Sequence, residues 1–294
     1  MIINSFKKEW VIKALQAKKH VLCEKPVATT SLEYQEMLTV AKENNRYIMD
    51  GTMFVHNNRT HLMLEYIARH DLFGDVTRIN SEFTFMGDEN FHNKNIRTTK
   101  EGDPHGCIGD LGWYCIRLAQ IVYKHTKNGV ATSVQTTNWK LNDEGVPIDA
   151  TCLVFFNQSE DGEDVSSDDN VLSFHCSFLH PLNQRLSICG TIQSLEMKDF
   201  VIPKEGVQSW VVHGQSLTVN DKYSVQSYDL MEAPSGPAQE VLMWRNFQSF
   251  CRSVEKTGWV NADALDLSNT SLDNQKIVDA LVESINLGGT VVTL

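Results

Sequence analysis

His20-Val21-Leu22-Cys23-Glu24-Lys25-Pro26 is a short apolar run that stops at two charges and a proline. Its length and bounded ends suit a buried strand over His20–Cys23. Upstream, Lys7, Lys8, Lys13, Lys18 and Lys19 are interrupted by Glu9, and Trp10, Ile12, Ala14, Leu15 and Ala17 supply an apolar face. That pattern predicts a helix of the fold rather than a presequence. Downstream, Thr30 and Glu33 have the spacing of a capping box, in which each can satisfy a backbone N–H near the other. They predict a helix of roughly 13–15 residues ending at Asn44-Asn45. Tyr47–Met49 is a second short apolar strand. Helix, strand, helix, strand at this spacing is the grammar of a parallel sheet. Such a sheet needs several strands and cover on both faces, so further strands are expected upstream of Met1.

From about residue 75 the pattern changes. Val76–Phe85, Ala131–Trp139, Thr151–Phe156, Val171–Phe178, Arg185–Cys189 and Leu195–Val201 read as strands, several alternating apolar and polar as half-buried antiparallel strands do. Helices are predicted at Thr60–Arg69, Leu111–Lys124, Ala238–Lys256 and Ser271–Ile285. The acidic stretch Ser159–Asp169 lacks the spacing of a calcium loop and reads as a solvated hairpin loop. The expected class is α/β plus α+β: a remnant of a parallel sheet over residues 1–51, then a larger domain over 52–294. The larger domain has an open, mainly antiparallel sheet with flanking helices.

Composition narrows the function classes. The chain has 294 residues, 41% of them apolar, which is ample for a packed core. Its net charge of −11 is the wrong sign for a nucleic-acid binder, so no nucleic-acid partner is expected. No apolar run approaches the length of a membrane span. The seven cysteines are odd in number and include no C-x-x-C pair, as suits reduced thiols in the cytoplasm. G-x-G-x-x-G, P-loop, nucleophile-elbow and H-E-x-x-H motifs are absent from the sequence. The ten histidines have no zinc-finger spacing; His175 and His180, flanking Cys176, read as structural, and no metal is expected.

Two constellations carry chemistry. Lys25 closes a parallel strand, and ligands of open α/β sheets bind outside the carboxyl ends of strands. A solvated lysine before a turn explains the same residue without chemistry. The second is Gly106-Cys107-Ile108-Gly109-Asp110-Leu111-Gly112-Trp113-Tyr114. Here Asp110 is a good N-cap, and Asp110 and Tyr114 fall on one face of the helix that follows. Gly109 and Gly112 leave room for a ligand or another backbone. A phenol beside a cation is a feasible general acid, although glycines for packing and a core tyrosine account for the run equally well.

The run 17–26, followed by Gly109-Asp110-Leu111-Gly112-Trp113-Tyr114, resembles the Gfo/Idh/MocA oxidoreductases. The version ending in tyrosine is similar to the branch of glucose–fructose oxidoreductase and dimeric dihydrodiol dehydrogenase. Residues 49–53, 87–91 and 110–114 look most like plant and algal members. The resemblance implies a Rossmann domain binding NADP or NAD, and a hydride transfer to or from a sugar- or diol-like substrate. It places Tyr114 as the group that moves the proton, and Lys25 as the residue that lowers the phenol's pKa and orients the oxygen. Asp110 and Arg97 fall at the substrate, and Glu24, Lys25 and Pro26 at the cofactor, with Pro26 cis. It also implies a homodimer formed through the second domain's sheet. Relatives begin with a glycine-rich loop and further strands, so the resemblance implies an N-terminally truncated chain with little activity of its own. They carry P-N-x-x-H where this chain has Ile3-Asn4-Ser5-Phe6-Lys7, and an arginine near Phe54. The alternative is a non-catalytic binding or oligomerisation protein derived from the same family.

Overall fold

The computed structural model describes residues 3–127, 129–158, 170–204, 208–219, 223–259 and 262–294. Its first layer is α1 (Asn4–Gln16), β1 (Val21–Cys23), α2 (Ser31–Glu43) and β2 (Ile48–Asp50). β1 and β2 pair in parallel, with Val21 opposite Ile48 and Cys23 opposite Asp50. Thr30 Oγ1 accepts the Glu33 N–H at 3.2 Å, as the capping box predicts. The return contact differs: the Glu33 carboxylate accepts from the N–H and hydroxyl of Thr29, one residue earlier than expected. The predicted apolar face of α1 also needs correction. Asn4, Lys7, Val11 and Leu15 are buried, whereas Trp10 lies exposed beneath Lys13. The helix turns its polar edge inward because the Lys7 ammonium finds backbone carbonyls there.

The chain then passes through a 3-10 turn (Met53–His56) and α3 (Asn58–Ile67) into β3 (Val76–Met86). After α4 (Glu89–Lys94) comes α5 (Trp113–Lys127), preceded by a π-helical turn over Ile108–Gly112. The strands that follow are β4 (Gly129–Leu141), β5 (Pro147–Gln158), β6 (Asn170–Ser177), β7 (Leu179–Gly190), β8 (Ser194–Met197), β9 (Gln208–Val219) and β10 (Tyr223–Ala233). α6 (Gln239–Thr257), α7 (Ala262–Asn286) and β11 (Val292–Thr293) complete the chain. The second sheet has the order β10-β9-β8-β7-β3-β6-β5-β4-β11. Every neighbour pair in it is antiparallel except β3 with β6. This is the small parallel sheet and large antiparallel sheet expected from the sequence.

Two predicted elements change and one hairpin is new. The strand expected over Leu195–Val201 stops at Met197, and the helix expected from Ser271 begins at Ala262. The β9–β10 hairpin had no counterpart in the sequence reading. The acidic stretch Ser159–Asp169 lies outside the described residues. Along β6, Leu172, Phe174 and Cys176 are buried while Val171, Ser173 and His175 are half-buried. One face of the sheet is therefore covered, with α5 and α7 packed on it, and the other is open. α7 also packs on α2 and β2, so the C-terminal helix ties the small sheet to the large one. No helix among the described residues is long and apolar enough to cross a membrane.

Candidate active site

The carboxyl end of β1 runs into Glu24-Lys25-Pro26, and the Lys25–Pro26 peptide bond is cis. The Lys7 ammonium, from α1, donates to the carbonyls of Glu24 and Pro26, each at 2.6 Å. These two carbonyls bracket Lys25, so Lys7 fixes the turn from beneath. Burial pulls the Lys7 pKa down, against the partial offset of nearby Cys23 and Asp103.

From that turn Lys25 reaches the π-helical segment. Its ammonium donates to the Asp110 carbonyl at 2.6 Å and to the Asp110 carboxylate. Arg97 Nε lies 3.1 Å from the other carboxylate oxygen. Asp110 is therefore not the N-cap that the sequence suggested. Right-handed helical backbone already starts at Cys107, which puts Asp110 inside the helical segment and frees its carboxylate to bind two cations. Burial would raise its pKa, but Lys25 and Arg97 outweigh this and hold the carboxyl low. Burial also opposes the charge on Lys25, and Asp110 overcomes it, so the ammonium is retained.

Tyr114 follows one turn later, its ring centroid 4.7 Å from the Lys25 ammonium. Phe54 and Phe83 pack against the same ring at 6.2 and 5.6 Å. Lys25 pulls the phenol pKa down as expected, yet burial is the larger effect and the net direction is upward. The phenol is thus protonated at neutral pH. Gly109 sits where a Cβ would meet His105 Cβ at 2.7 Å and Pro26 Cγ at 3.5 Å, so the helix passes close to the cis turn. Gly112 serves the sheet instead, where a Cβ would press on Phe174 at 3.0 Å.

The structure brings Glu24, Lys25, Pro26, Arg97, Asp110 and Tyr114 to one place. It adds residues that sequence reasoning missed. Lys7 was the visible departure from the relatives' P-N-x-x-H, and here it occupies the underside of the turn. Asp103 and His105 come from the loop before the π-helical turn, and His105 Nε2 lies 3.2 Å from Asp279 Oδ1 on α7. A cavity of about 40 Å³ lies between the cations Lys7, Lys25 and Arg97 and the carboxylates Glu24, Asp103 and Asp110. It has room for little more than water. A larger cavity of about 570 Å³, lined by α5, β4 and α7, contains none of these groups.

By the chemistry of their side chains, rather than by the volume of that small cavity, the residues suit one end of a dinucleotide. A retained ammonium and a protonated phenol, side by side at the carboxyl end of a parallel strand, suit a nicotinamide and an oxygen to be protonated. The sequence contains no G-x-G-x-x-G, so it supplies no backbone cradle of that kind for a pyrophosphate.

Comparisons with known proteins bear on the family and the fold. Residues 1–52 match the family profile described as "Oxidoreductase family, NAD-binding Rossmann fold", and residues 62–196 match "GFO/IDH/MocA C-terminal domain". A dTDP-3,4-didehydro-2,6-dideoxy-alpha-D-glucose 3-reductase of Saccharopolyspora spinosa is 27% identical over 52% of this chain and 43% of its own. A trans-1,2-dihydrobenzene-1,2-diol dehydrogenase of Xenopus tropicalis is 25% identical over 64% of this chain and 51% of its own. The chain thus spans about half the length of the curated relatives it matches. In fold it is similar to an inositol dehydrogenase homolog from Azotobacter vinelandii complexed with NAD+. The TM-score is 0.79 at 15% identity, covering 100% of this chain and 77% of that one. With β1, β2, the strands β3 to β7 and the motif residues all inside profiles of one family, the chain belongs to the Gfo/Idh/MocA oxidoreductases.

Proposed function

We propose that this chain carries the proton-transfer half of an NAD(P)-dependent oxidoreductase acting on an alcohol or carbonyl of a sugar- or diol-like substrate. The observation that carries the reading is the Lys25–Asp110–Arg97 ion cluster with the Tyr114 ring stacked against its ammonium. When bound, the nicotinamide accepts or supplies the hydride at its C4. Glu24, Lys25 and Pro26 are the residues of this chain that would hold its nicotinamide end. Tyr114 gives a proton to the substrate oxygen in reduction and takes it back in oxidation. Its protonated state at neutral pH suits the donating direction. Lys25, kept charged by Asp110, holds the same oxygen and offsets negative charge that develops on it. Arg97 steadies the Asp110 carboxylate and offers a donor to a substrate hydroxyl. A homodimer through the open face of the large sheet and a cytoplasmic location complete the proposal; the seven cysteines, all free, suit a reducing compartment.

The test uses the native protein isolated from its source, assayed for NAD(P)H turnover on a panel of keto-sugars, inositols and dihydrodiols. Tyr114→Phe is expected to lower kcat by about 10²–10⁴ while NADPH binding, read by its fluorescence, is unchanged. Undiminished turnover in that variant overturns the role of Tyr114. Native protein that binds neither NADH nor NADPH supports the non-catalytic alternative.

A further inference from the structure

The geometry points to a divalent metal site, of the zinc class, on the open face of the large sheet, formed by Asp149, His175 and His180. Asp149 and His175 lie on adjacent strands, with Asp149 opposite Ser177 and Thr151 opposite His175. His180 comes from the start of β7, just past the turn at Ser177–Leu179. His175 Nε2 and His180 Nε2 each lie 3.2 Å from the same oxygen, Asp149 Oδ2. One ligand atom from each of the three residues falls within 4.8 Å of the others. Tetrahedral zinc with ligands at roughly 2.0–2.1 Å has edges of about 3.3 Å, so two edges of the polyhedron are already in place.

A second observation concerns the other nitrogen of His175. Its Nδ1 lies 3.7 Å from Glu82 Oε1, and Glu82 is fixed by a 2.7 Å hydrogen bond from Asn183. If His175 is neutral and its Nε2–H donates to Asp149, Nδ1 presents a lone pair to the Glu82 carboxylate. If Nε2 instead gives its lone pair to a cation, Nδ1 carries the hydrogen and faces the carboxylate correctly. That is the arrangement by which carboxylates orient metal-binding histidines. Two imidazoles and one carboxylate suit zinc, cobalt or nickel better than calcium or magnesium, which prefer all-oxygen sites. Three protein ligands leave one position for water or for a fourth ligand. The sequence hid this site because its carboxylate lies on a different strand from either histidine.

The experiment titrates purified protein with zinc chloride alone by calorimetry and repeats the titration with cobalt followed by absorption. One zinc per chain is expected, weakened at least about tenfold by His175→Ala or His180→Ala, and about 10–100-fold by Glu82→Gln. Cobalt should give a tetrahedral visible spectrum without a thiolate charge-transfer band. Equal affinity in wild type and both histidine variants, or a thiolate-dominated cobalt spectrum, overturns the site. A measurement on unmutated protein guards against misfolded variants: of the ten histidines, zinc should shift the ring resonances of His175 and His180. Shifts confined to other histidines refute the proposal.

Discussion

The absence of a side chain at Gly109 decides how closely the helix of Tyr114 can follow the loop at Asp103 and His105. An alanine Cβ at Gly109 would lie 2.7 Å from His105 Cβ and 3.3 Å from Asp103 Oδ1. The first of these atoms is fixed to the backbone and cannot swing away, so the helix itself has to move. Gly109→Ala should therefore cost about 1–3 kcal/mol, as overpacked cores do, measured by urea denaturation. Gly51→Ala is the control. The nearest atom to its Cβ is the tip of Glu24 at 3.2 Å, which rotates aside, and a smaller loss is expected. The same scale shows what the sequence could reveal. Lys25, Asp110 and Tyr114 belong to two local motifs that can be seen in a string of letters. Lys7 was marked only as a departure from the relatives' P-N-x-x-H, whereas His105 and Asp279 join the site through long-range packing that nothing in their own neighbourhoods announces.

Elements were legible where their period was uninterrupted. β1, α2 and β2 emerged at nearly their true bounds because short apolar runs and a capping pair delimit them. The first turns of α7 did not, since Asp263, Asp266, Ser268 and Asn269 hide the buried face behind polar letters. Ser268 is wholly buried there because its hydroxyl bonds the carbonyls of Ile48 and Ala264. α7 also supplies Asp279, which accepts the Ser31 N–H at the start of α2 and holds His105. Burial opposes protonation of His105, but Asp103 and Asp279 outweigh it and push the pKa up to about 9. A folded value above the unfolded one of about 6.5 means stabilisation that is complete below pH 6.5 and is lost as pH rises through 9. The linkage is on the order of 3 kcal/mol. Denaturation at pH 6 and at pH 9.5 should show that loss in the wild type, and His105→Gln should lose much less. Parallel losses in both proteins would remove His105 from the account.

Across the whole molecule, the two sheets are joined through a buried charge rather than through apolar contacts alone. Asp50, the last residue of β2, receives hydrogen bonds from Arg117 on α5 and Ser271 on α7, and from the Thr52 N–H at 2.7 Å. Arg117 is 1% exposed and Asp50 4% exposed. Burial would raise the Asp50 pKa, but Arg117 and the hydroxyls outweigh it and hold the carboxyl low. Trp113 Nε1 adds a 2.8 Å bond to Thr52 Oγ1 beside the same junction. The larger of two apolar clusters continues across it, containing Leu15, Leu38 and Ile48 from the small layer and Ile79, Val154 and Leu281 from the large one. Removing one partner of such a pair leaves a charge stranded, which costs about 3–5 kcal/mol. Arg117→Met should lose that much, and adding Asp50→Asn should recover part of it, because the pair rather than either residue is what the core accommodates. The shared core also predicts that unfolding stays a single transition. Tryptophan fluorescence and far-ultraviolet dichroism should give coincident curves for the wild type. Two separated transitions would mean that the small parallel layer holds together independently of α5 and α7, and the Asp50–Arg117 junction would then not be what unites the molecule.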